Sequence, residues 1–182
     1  MPGCNQTLTG IAKDCGANLG GLKALYLNNF DNVASVTVDG TTGKITAITL
    51  ETGADKFKYF ALPKNTASLT KTLNRDDANG TNFVTNVLAL VFNKMDTAKR
   101  TSMEALSQND LCAIAIDMNG KAWYIGKDEP LSATGGDSGT GAAKTDRNGY
   151  GINLQSEEFS YPYEINVGDG TSGTVDLDAI TD

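Results

Sequence analysis

Hydrophobic residues in this chain recur mostly at every second position, in short runs bounded by Gly, Asn, Asp and Pro. This period places successive side chains on opposite faces of an extended backbone, so it predicts β-strands joined by tight turns. Such runs occupy residues 22–27, 33–38, 45–50, 56–61, 81–93, 111–117, 149–154 and 159–167, and residues 68–75 alternate polar and apolar side chains. The pattern predicts about eight strands.

The segment LCAIAIDMNGKAWYIG, residues 111–126, predicts a central hairpin. Asn119 and Gly120 both tolerate positive φ, as a type I′ turn requires, and they lie between two apolar arms. The first arm is apolar on both alternating faces, which is typical of a strand covered on both sides. The second arm carries Trp123, the only tryptophan of the chain.

Two other segments predict which faces are buried. Residues 33–50 predict a second hairpin around a loop at 39–44, whose first strand has Val33, Ser35 and Thr37 on one face and Ala34, Val36 and Val38 on the other. The centre of residues 81–93 is apolar on both faces, with Val87, Ala89 and Val91 opposite Leu88, Leu90 and Phe92. Such a strand needs two covers, a domain core on one side and a helix or another subunit on the other.

One helix is predicted, at residues 97–109, where good helix formers follow a possible cap at Asp96 or Thr97. Its narrow apolar stripe would consist of Ala98, Met103, Ala105 and Leu106. The fold class expected from these elements is mainly β, a β-sandwich or a strongly rolled barrel of antiparallel strands with one covering helix.

Three stretches fall outside this pattern. Residues 1–21 form a polar N-terminal arm, which is either a partly ordered terminus or an arm that orders on a neighbouring subunit. Residues 127–148 form a long Gly-rich loop inside the predicted domain at 22–167, and loops of that length are usually functional or disordered. Residues 168–182 form an acidic, Gly/Thr-rich tail, and Pro162 predicts that the last strand lies at a sheet edge or contains a bulge.

Composition excludes several function classes. The net charge of −7 disfavours direct binding of nucleic acid or of an anionic membrane surface. The absence of histidine removes the commonest catalytic base and metal ligand. Cys4, Cys15 and Cys112 are expected to be reduced, although Cys4 and Cys15 could pair. No signal peptide or membrane span is evident, so we expect synthesis and folding in a cytoplasm.

Several short motifs suggest chemistry that their surroundings do not support. Gly136-Asp137-Ser138-Gly139 is similar to the nucleophile motif of serine proteases, but the chain has no imidazole base. The same loop lacks the Lys directly after a glycine that a P-loop requires. Asp117-Met118-Asn119-Gly120 and Asp146-Arg147-Asn148-Gly149 suggest calcium ligands, yet tight turns explain both. Glu157 and Glu158 are expected in a solvated turn, so no catalytic residue, cofactor site or metal site is predicted, and the chain is not expected to be an enzyme.

The order of the pieces resembles structural proteins of tailed bacteriophages, namely the tail-tube (major tail) family and the ring or connector proteins of crAss-like phages. The resemblance covers residues 20–166. It is carried by GLKALYL, VASVTVDGTTGKITAITL, SLTKTLNRDDANGTNFVTNVLALVF, a single helix, AIDMNGKAWYIG, a Gly-rich loop and TDRNGYGINLQSEEFSYPYEI.

The resemblance implies two packed antiparallel sheets with one flanking helix, rolled into half a barrel. Six or more copies would pair edge strands into a ring with a β-lined channel, and the arms would reach neighbouring subunits or rings. The expected function is therefore a virion structural protein that forms part of the tail or neck conduit for DNA, assembled in the host bacterial cytoplasm beside other tail and neck proteins. DNA would pass an acidic lumen without specific binding.

Two alternatives remain open from the sequence. A capsid-decorating or head-fibre β-domain has the same composition, but it would be a compact monomer or trimer without a channel. A hydrolase or a small-ligand binding domain would need a catalytic or binding constellation that the residues do not supply.

Overall fold

The computed structural model, which describes residues 8–171 and 173–182, confirms that the chain is mainly β. Its described part contains three antiparallel sheets and two α-helices. The strands are β1 (Leu22–Asn29), β2 (Val33–Val38), β3 (Ile45–Leu50), β4 (Lys58–Phe60), β5 (Ala67–Asp76), β6 (Thr81–Asn93), β7 (Leu111–Asp117), β8 (Ala122–Ile125), β9 (Ser132–Gly139), β10 (Gly149–Glu158) and β11 (Tyr163–Glu164). The helices are α1 (Thr97–Gln108) and α2 (Leu177–Ile180), and Phe30–Asn32 form a short 3₁₀ turn.

A five-stranded sheet has the order β11-β8-β7-β1-β4, a four-stranded sheet has the order β5-β6-β10-β9, and β2 and β3 form a separate hairpin. The middle strand β7 is covered on both faces, as its apolar pattern predicts. Ala113 and Ala115 belong to a core shared with the four-stranded sheet and α1. Cys112 and Ile114 belong to a second core under the β2–β3 hairpin and the C-terminal segment.

The prediction that Val33 lies on the opposite face of β2 from Val36 and Val38 is wrong. A register irregularity lies between Val33 and Ser35. This irregularity breaks the strict alternation, so Val33 joins Val36 and Val38 against the second core. An extra residue in one strand cannot be located from alternation alone.

The helix prediction is confirmed, but its buried face is narrower than expected. The Asp96 side chain accepts a hydrogen bond from the backbone N–H of Lys99 at 2.8 Å and caps α1. Met103 and Leu106 pack on the first core, whereas Ala98 and Ala105 are exposed. The single-helix count is also wrong, because Leu177–Ile180 form a second, four-residue helix.

The central hairpin is present, but its turn is not type I′. The backbone N–H of Gly120 donates to the carbonyl of Asp117 at 3.0 Å, and Gly120 has φ +82° while Asn119 is not at positive φ. This geometry is a type I turn followed by a left-handed glycine, the usual three-residue hairpin loop. Asp117 selects it because its carboxylate accepts from the backbone N–H groups of Asn119 and Lys121, each at 2.9 Å.

The predicted loop at 127–148 is wrong in its middle. Residues Ser132–Gly139 (SATGGDSG) form β9, which pairs with β10 along its length. They lack the apolar alternation of a strand because β9 is an edge strand and most of its residues are exposed.

The bounds of the last two strands also differ from the prediction. β10 ends at Glu158 rather than at residue 154, and only Tyr163–Glu164 of the predicted strand 159–167 pair in a ladder. Pro162 precedes this edge strand, as expected.

The C-terminal residues form part of the second core. Val175 is buried, and Leu177 and Ile180 pack on the same cluster. The backbone N–H of Phe57 donates to the carbonyl of Ile180, and the N–H of Asp182 donates to the carbonyl of Phe57, both at 2.9 Å. The end of the chain is therefore held beside the segment that leads into β4.

The absence of a side chain at Gly149 lets β10 approach β6 closely. A Cβ at Gly149 would overlap the carbonyl oxygen of Phe92, whereas a Cβ at Gly135 in β9 would meet nothing within 4 Å. We expect Gly149→Ala to lower the free energy of unfolding by about 1–3 kcal/mol through overpacking. The matched variant Gly135→Ala should stay within about 0.5 kcal/mol of wild type. Urea unfolding of both variants checks this, and equal stabilities would contradict the close approach.

Candidate functional site

The face of the four-stranded sheet that points away from the core, which we call the outer face, has no cover in the described residues. On β6, Leu88, Leu90 and Phe92 are buried, while the alternate residues Val87, Ala89 and Val91 are half-buried. Since α1 packs on the core side, the predicted helix cover for this face is absent from the described chain. The other predicted cover, a second subunit, stays a prediction.

Small and polar side chains surround the apolar centre of the outer face. The register places Thr70 and Gln155 beside Val87, and Ser68 and Asn153 beside Ala89. An open groove of about 500 Å³ crosses this region. An open groove with few convergent charges is a poor small-molecule site, but it is suited to contact with another polymer surface.

Both edges of the four-stranded sheet are long and lack a strand partner in the described residues. They are β5, with ten residues, and β9, with eight. The backbone N–H of Val91 donates to Thr66 at 3.0 Å, which fixes the alternation of the β5–β6 ladder. Even-numbered residues of β5 therefore bond to β6, and the backbone groups of Leu69, Lys71 and Leu73 point to the open edge.

The five-stranded sheet, in contrast, has one short edge and one covered edge. Its edge strand β11 has only two residues in the ladder. At the other edge, Thr181 forms a parallel bridge to Phe57, and the carboxylate of Asp182 pairs with Lys58 at 2.5 Å. Short or covered edges resist pairing with another chain, so the open edges are concentrated in the four-stranded sheet.

The N-terminal arm leaves the domain at a defined point. Asn119 accepts from the backbone N–H of Leu19 at 3.0 Å and donates to Asn18 Oδ1 at 2.9 Å. Beyond this clamp, Leu8 is 97% exposed and Ile11 is 99% exposed. Within residues 8–17 the arm therefore shows its apolar side chains to solvent.

Near the point where the arm meets the domain, Trp123 connects the two large sheets. Its indole N–H donates to Asp117 at 3.0 Å, and the Lys71 ammonium of β5 lies 3.7 Å from the ring centroid. Partial burial lowers the pKa of Lys71, against the charge of Asp117. Burial acts to raise the pKa of Asp117, but hydrogen bonds from Trp123, Lys121 and Asn119 outweigh it and lower this pKa overall. The cluster is a cation–π tie between sheets, which we interpret as structural.

The protease-like and P-loop-like motifs lie in and after the edge strand. Ser138 is part of β9, opposite Tyr150, and Asp137 pairs with Arg147. After β9, the backbone N–H groups of Ala142 and Ala143 donate to the carboxylate of Asp146 at 2.9 and 2.8 Å. Those amides are the type of donor that would cradle a phosphate, and Asp146 already satisfies them.

Of the two calcium-like sequences, residues 117–120 form a tight turn, as expected. The expectation is wrong for residues 146–149, because Asp146 ends a turn that begins at Ala143 and Gly149 already belongs to β10. The carboxylates of Asp117 and Asp146 are used by nearby backbone N–H groups, and these hydrogen bonds hold the pKa of Asp146 below its usual value. Across residues 8–171 and 173–182, no group of three or more His, Cys, Asp or Glu side chains is placed to hold a metal ion. The same residues include no helix long and apolar enough to cross a membrane.

The prediction of a solvated turn at Glu157 and Glu158 is wrong for Glu158. Glu157 is exposed, but Glu158 is 1% exposed at the end of β10. The alternation of β10 turns its side chain inward, which two adjacent acidic residues in the sequence do not indicate.

The structure describes two of the three cysteines. Cys15 is exposed, and Cys112 is buried, which raises its pKa to about 12. Cys4 lies outside the described residues, and so does any pairing between Cys4 and Cys15.

The clamp on the arm can be tested by removing one side chain. Asn119→Ala keeps the turn, whose glycine and Asp117 are unchanged, but removes the acceptor of the Leu19 N–H. We expect faster hydrogen exchange at Leu19, because its amide becomes exposed to water. Asn79→Ala, in the β5–β6 turn, serves as the control, since Asn79 contacts Asp76 and not the arm. An unchanged exchange rate at Leu19 would show that the arm is held by other contacts.

Comparison with known protein families, curated proteins and solved structures finds no match to this chain.

Proposed function

We propose that this chain is a structural protein that assembles into a closed ring or tube through the two open edges of its four-stranded sheet. The observation that carries the proposal is the pair of long edges, β5 and β9, on a sheet whose outer face is also uncovered. A strand edge with unpaired N–H and C=O groups is a template for another strand. Each copy offers two such edges, so addition of copies can continue until the ring closes.

The strand count of the sheet favours this mode of assembly. Four antiparallel strands leave β5 and β9 running in opposite directions. If copies are related by rotation about an axis, β9 of one copy meets β5 of the next in antiparallel orientation. The joined sheet is then antiparallel throughout and has no edge left when it closes.

In such a ring, the outer face would line the channel. The rest of the domain lies on the core face of the sheet, so its bulk has to sit outside the ring. The lining would consist mainly of Ser, Thr, Asn, Gln and small apolar residues. Glu157 adds a negative charge, whereas Asp137 is paired with Arg147 on the same face. Because the net charge is −7 and the described residues of the lining include no cluster of basic side chains, the lining would repel the phosphates of DNA rather than bind them.

The place in a phage particle rests on the resemblance to tail-tube and ring or connector proteins. We propose a homo-oligomer, six-fold or higher, in the tail or neck conduit of a virion, in contact with other tail or neck proteins. The two-sheet, half-barrel arrangement of that family is supported by the first core, which combines side chains of both large sheets. The alternative of a capsid-decorating or head-fibre domain leaves the two open edges without a role.

Blocking one edge tests the assembly. The backbone N–H of Leu73 points to the open edge of β5, so Leu73→Pro removes a donor from the interface and none from the β5–β6 ladder. We expect wild-type protein to form rings or tubes with a central hole in negative-stain images, and Leu73→Pro to be monomeric by light scattering. Its circular dichroism should match wild type.

Leu73→Thr is the matched control, since it shortens the same side chain but keeps the backbone donor. It should assemble as wild type does. Wild-type protein that remains a monomer or a trimer without a channel, up to its solubility limit, would contradict the proposal and favour the decorating role. Assembly of Leu73→Pro equal to wild type would exclude the β5 edge as the contact.

A further inference from the structure

A buried polar cluster joins the end of β10 to the crossover between the two large sheets. Glu158 Oε1 accepts from the backbone N–H of Gly126 at 2.7 Å and from Ser156 Oγ at 3.0 Å, and Asn86 Nδ2 lies at 3.4 Å. Gly126 follows β8, where the chain leaves the five-stranded sheet toward β9. The three side chains are 0–2% exposed.

Two acceptors of the cluster have no donor. Glu158 Oε2 and Asn86 Oδ1 are both buried without a hydrogen-bond partner. No ion pair to Glu158 is formed among the described residues. A carboxylate buried without a counter-ion is strongly unfavourable, and so is a buried acceptor without a donor. A proton on Oε2 would remove the charge and turn one unpaired acceptor into a donor, in a cluster where Asn86 Oδ1 also lacks a donor.

We propose that Glu158 is a neutral carboxylic acid at neutral pH, and that its ionisation at higher pH weakens the join between β10 and the β8–β9 crossover. The chain thus carries a proton-operated latch between its two large sheets. The proposal does not depend on ring formation, because every contact lies within one chain.

The neighbouring groups agree with this assignment. Burial raises the pKa of Glu158, and the charge of Asp128 acts in the same direction, against hydrogen bonds from Gly126, Ser156 and Lys127. The ammonium of Lys127 is paired with Asp128 at 2.7 Å, and this hydrogen bond raises its pKa, as a charge on Glu158 would also do. On β8, burial raises the pKa of Tyr124, so its phenol stays neutral through the same pH range.

The sign of the pH dependence follows from linkage. The folded protein holds the Glu158 proton above 4.5, the ordinary pKa of a glutamate, while the unfolded chain releases it. Stability from this group is therefore complete below pH 4.5 and is lost as the pH rises through the raised pKa. Across that interval, the folding equilibrium constant should fall up to about tenfold per pH unit.

Glutamine substitutions at two adjacent positions test the latch. Glu158→Gln mimics the neutral acid, and Glu157→Gln alters the exposed neighbour. We expect urea unfolding between pH 5 and 9 to show falling stability for wild type and Glu157→Gln, with a shallower fall for Glu158→Gln. At the alkaline end, Glu158→Gln should be the more stable protein.

A second measurement uses the wild-type chain, in case Glu158→Gln does not fold. In a carbon-13 titration, one glutamate carboxyl should remain protonated well above pH 6, and it should be the resonance that Glu158→Gln removes. If all glutamates titrate near their ordinary pKa, or if Glu158→Gln is less stable than wild type with an unchanged pH slope, Glu158 is ionised and the proposal is wrong. A melting temperature that falls on addition of EDTA would indicate a bound cation in place of the proton and would also overturn it.

Discussion

The fold depends on the burial of β7 from both sides. Ala113 and Ala115 leave room for the first core, while Cys112 and Ile114 reach the second core under the β2–β3 hairpin. Each large apolar side chain removed from water contributes about 1.5–3 kcal/mol. Since β7 contributes buried side chains to both cores, it links the two layers. β1 and β8 flank this strand, and their positions follow from it.

Where burial repeats with a clear period, the sequence was sufficient to predict the structure. Alternation of apolar residues predicts the bounds of β6 and β7 and the burial of β7 on both faces. The cap at Asp96 predicts the start of α1. Exposed β9 has no such signal, because its Gly and Ser residues are ordered by pairing with β10 rather than by a core. The shift at Val33 and the inward Glu158 were missed for a related reason, since a local irregularity or strand length decides which face a residue occupies.

The candidate surface was only partly predictable. The surplus of apolar residues on β6 indicated that a second cover was needed, either a helix or another subunit, and α1 does not supply it because it packs on the core side. The structure leaves this face open and concentrates the free edges on the same sheet, while the C-terminal residues cover the edge near Phe57. That covering uses polar residues and backbone hydrogen bonds, which no hydrophobic pattern reveals.

The order of strands in the four-stranded sheet has a consequence during synthesis. β5 and β6 are neighbours in sequence, so their hairpin can form early, but β6 pairs on its other side with β10, which begins only at Gly149. At ordinary rates of translation, the inner edge of β6 waits on the order of seconds for its partner. During that interval the nascent hairpin exposes two strand edges and an apolar face, which are the features that favour pairing between incomplete chains.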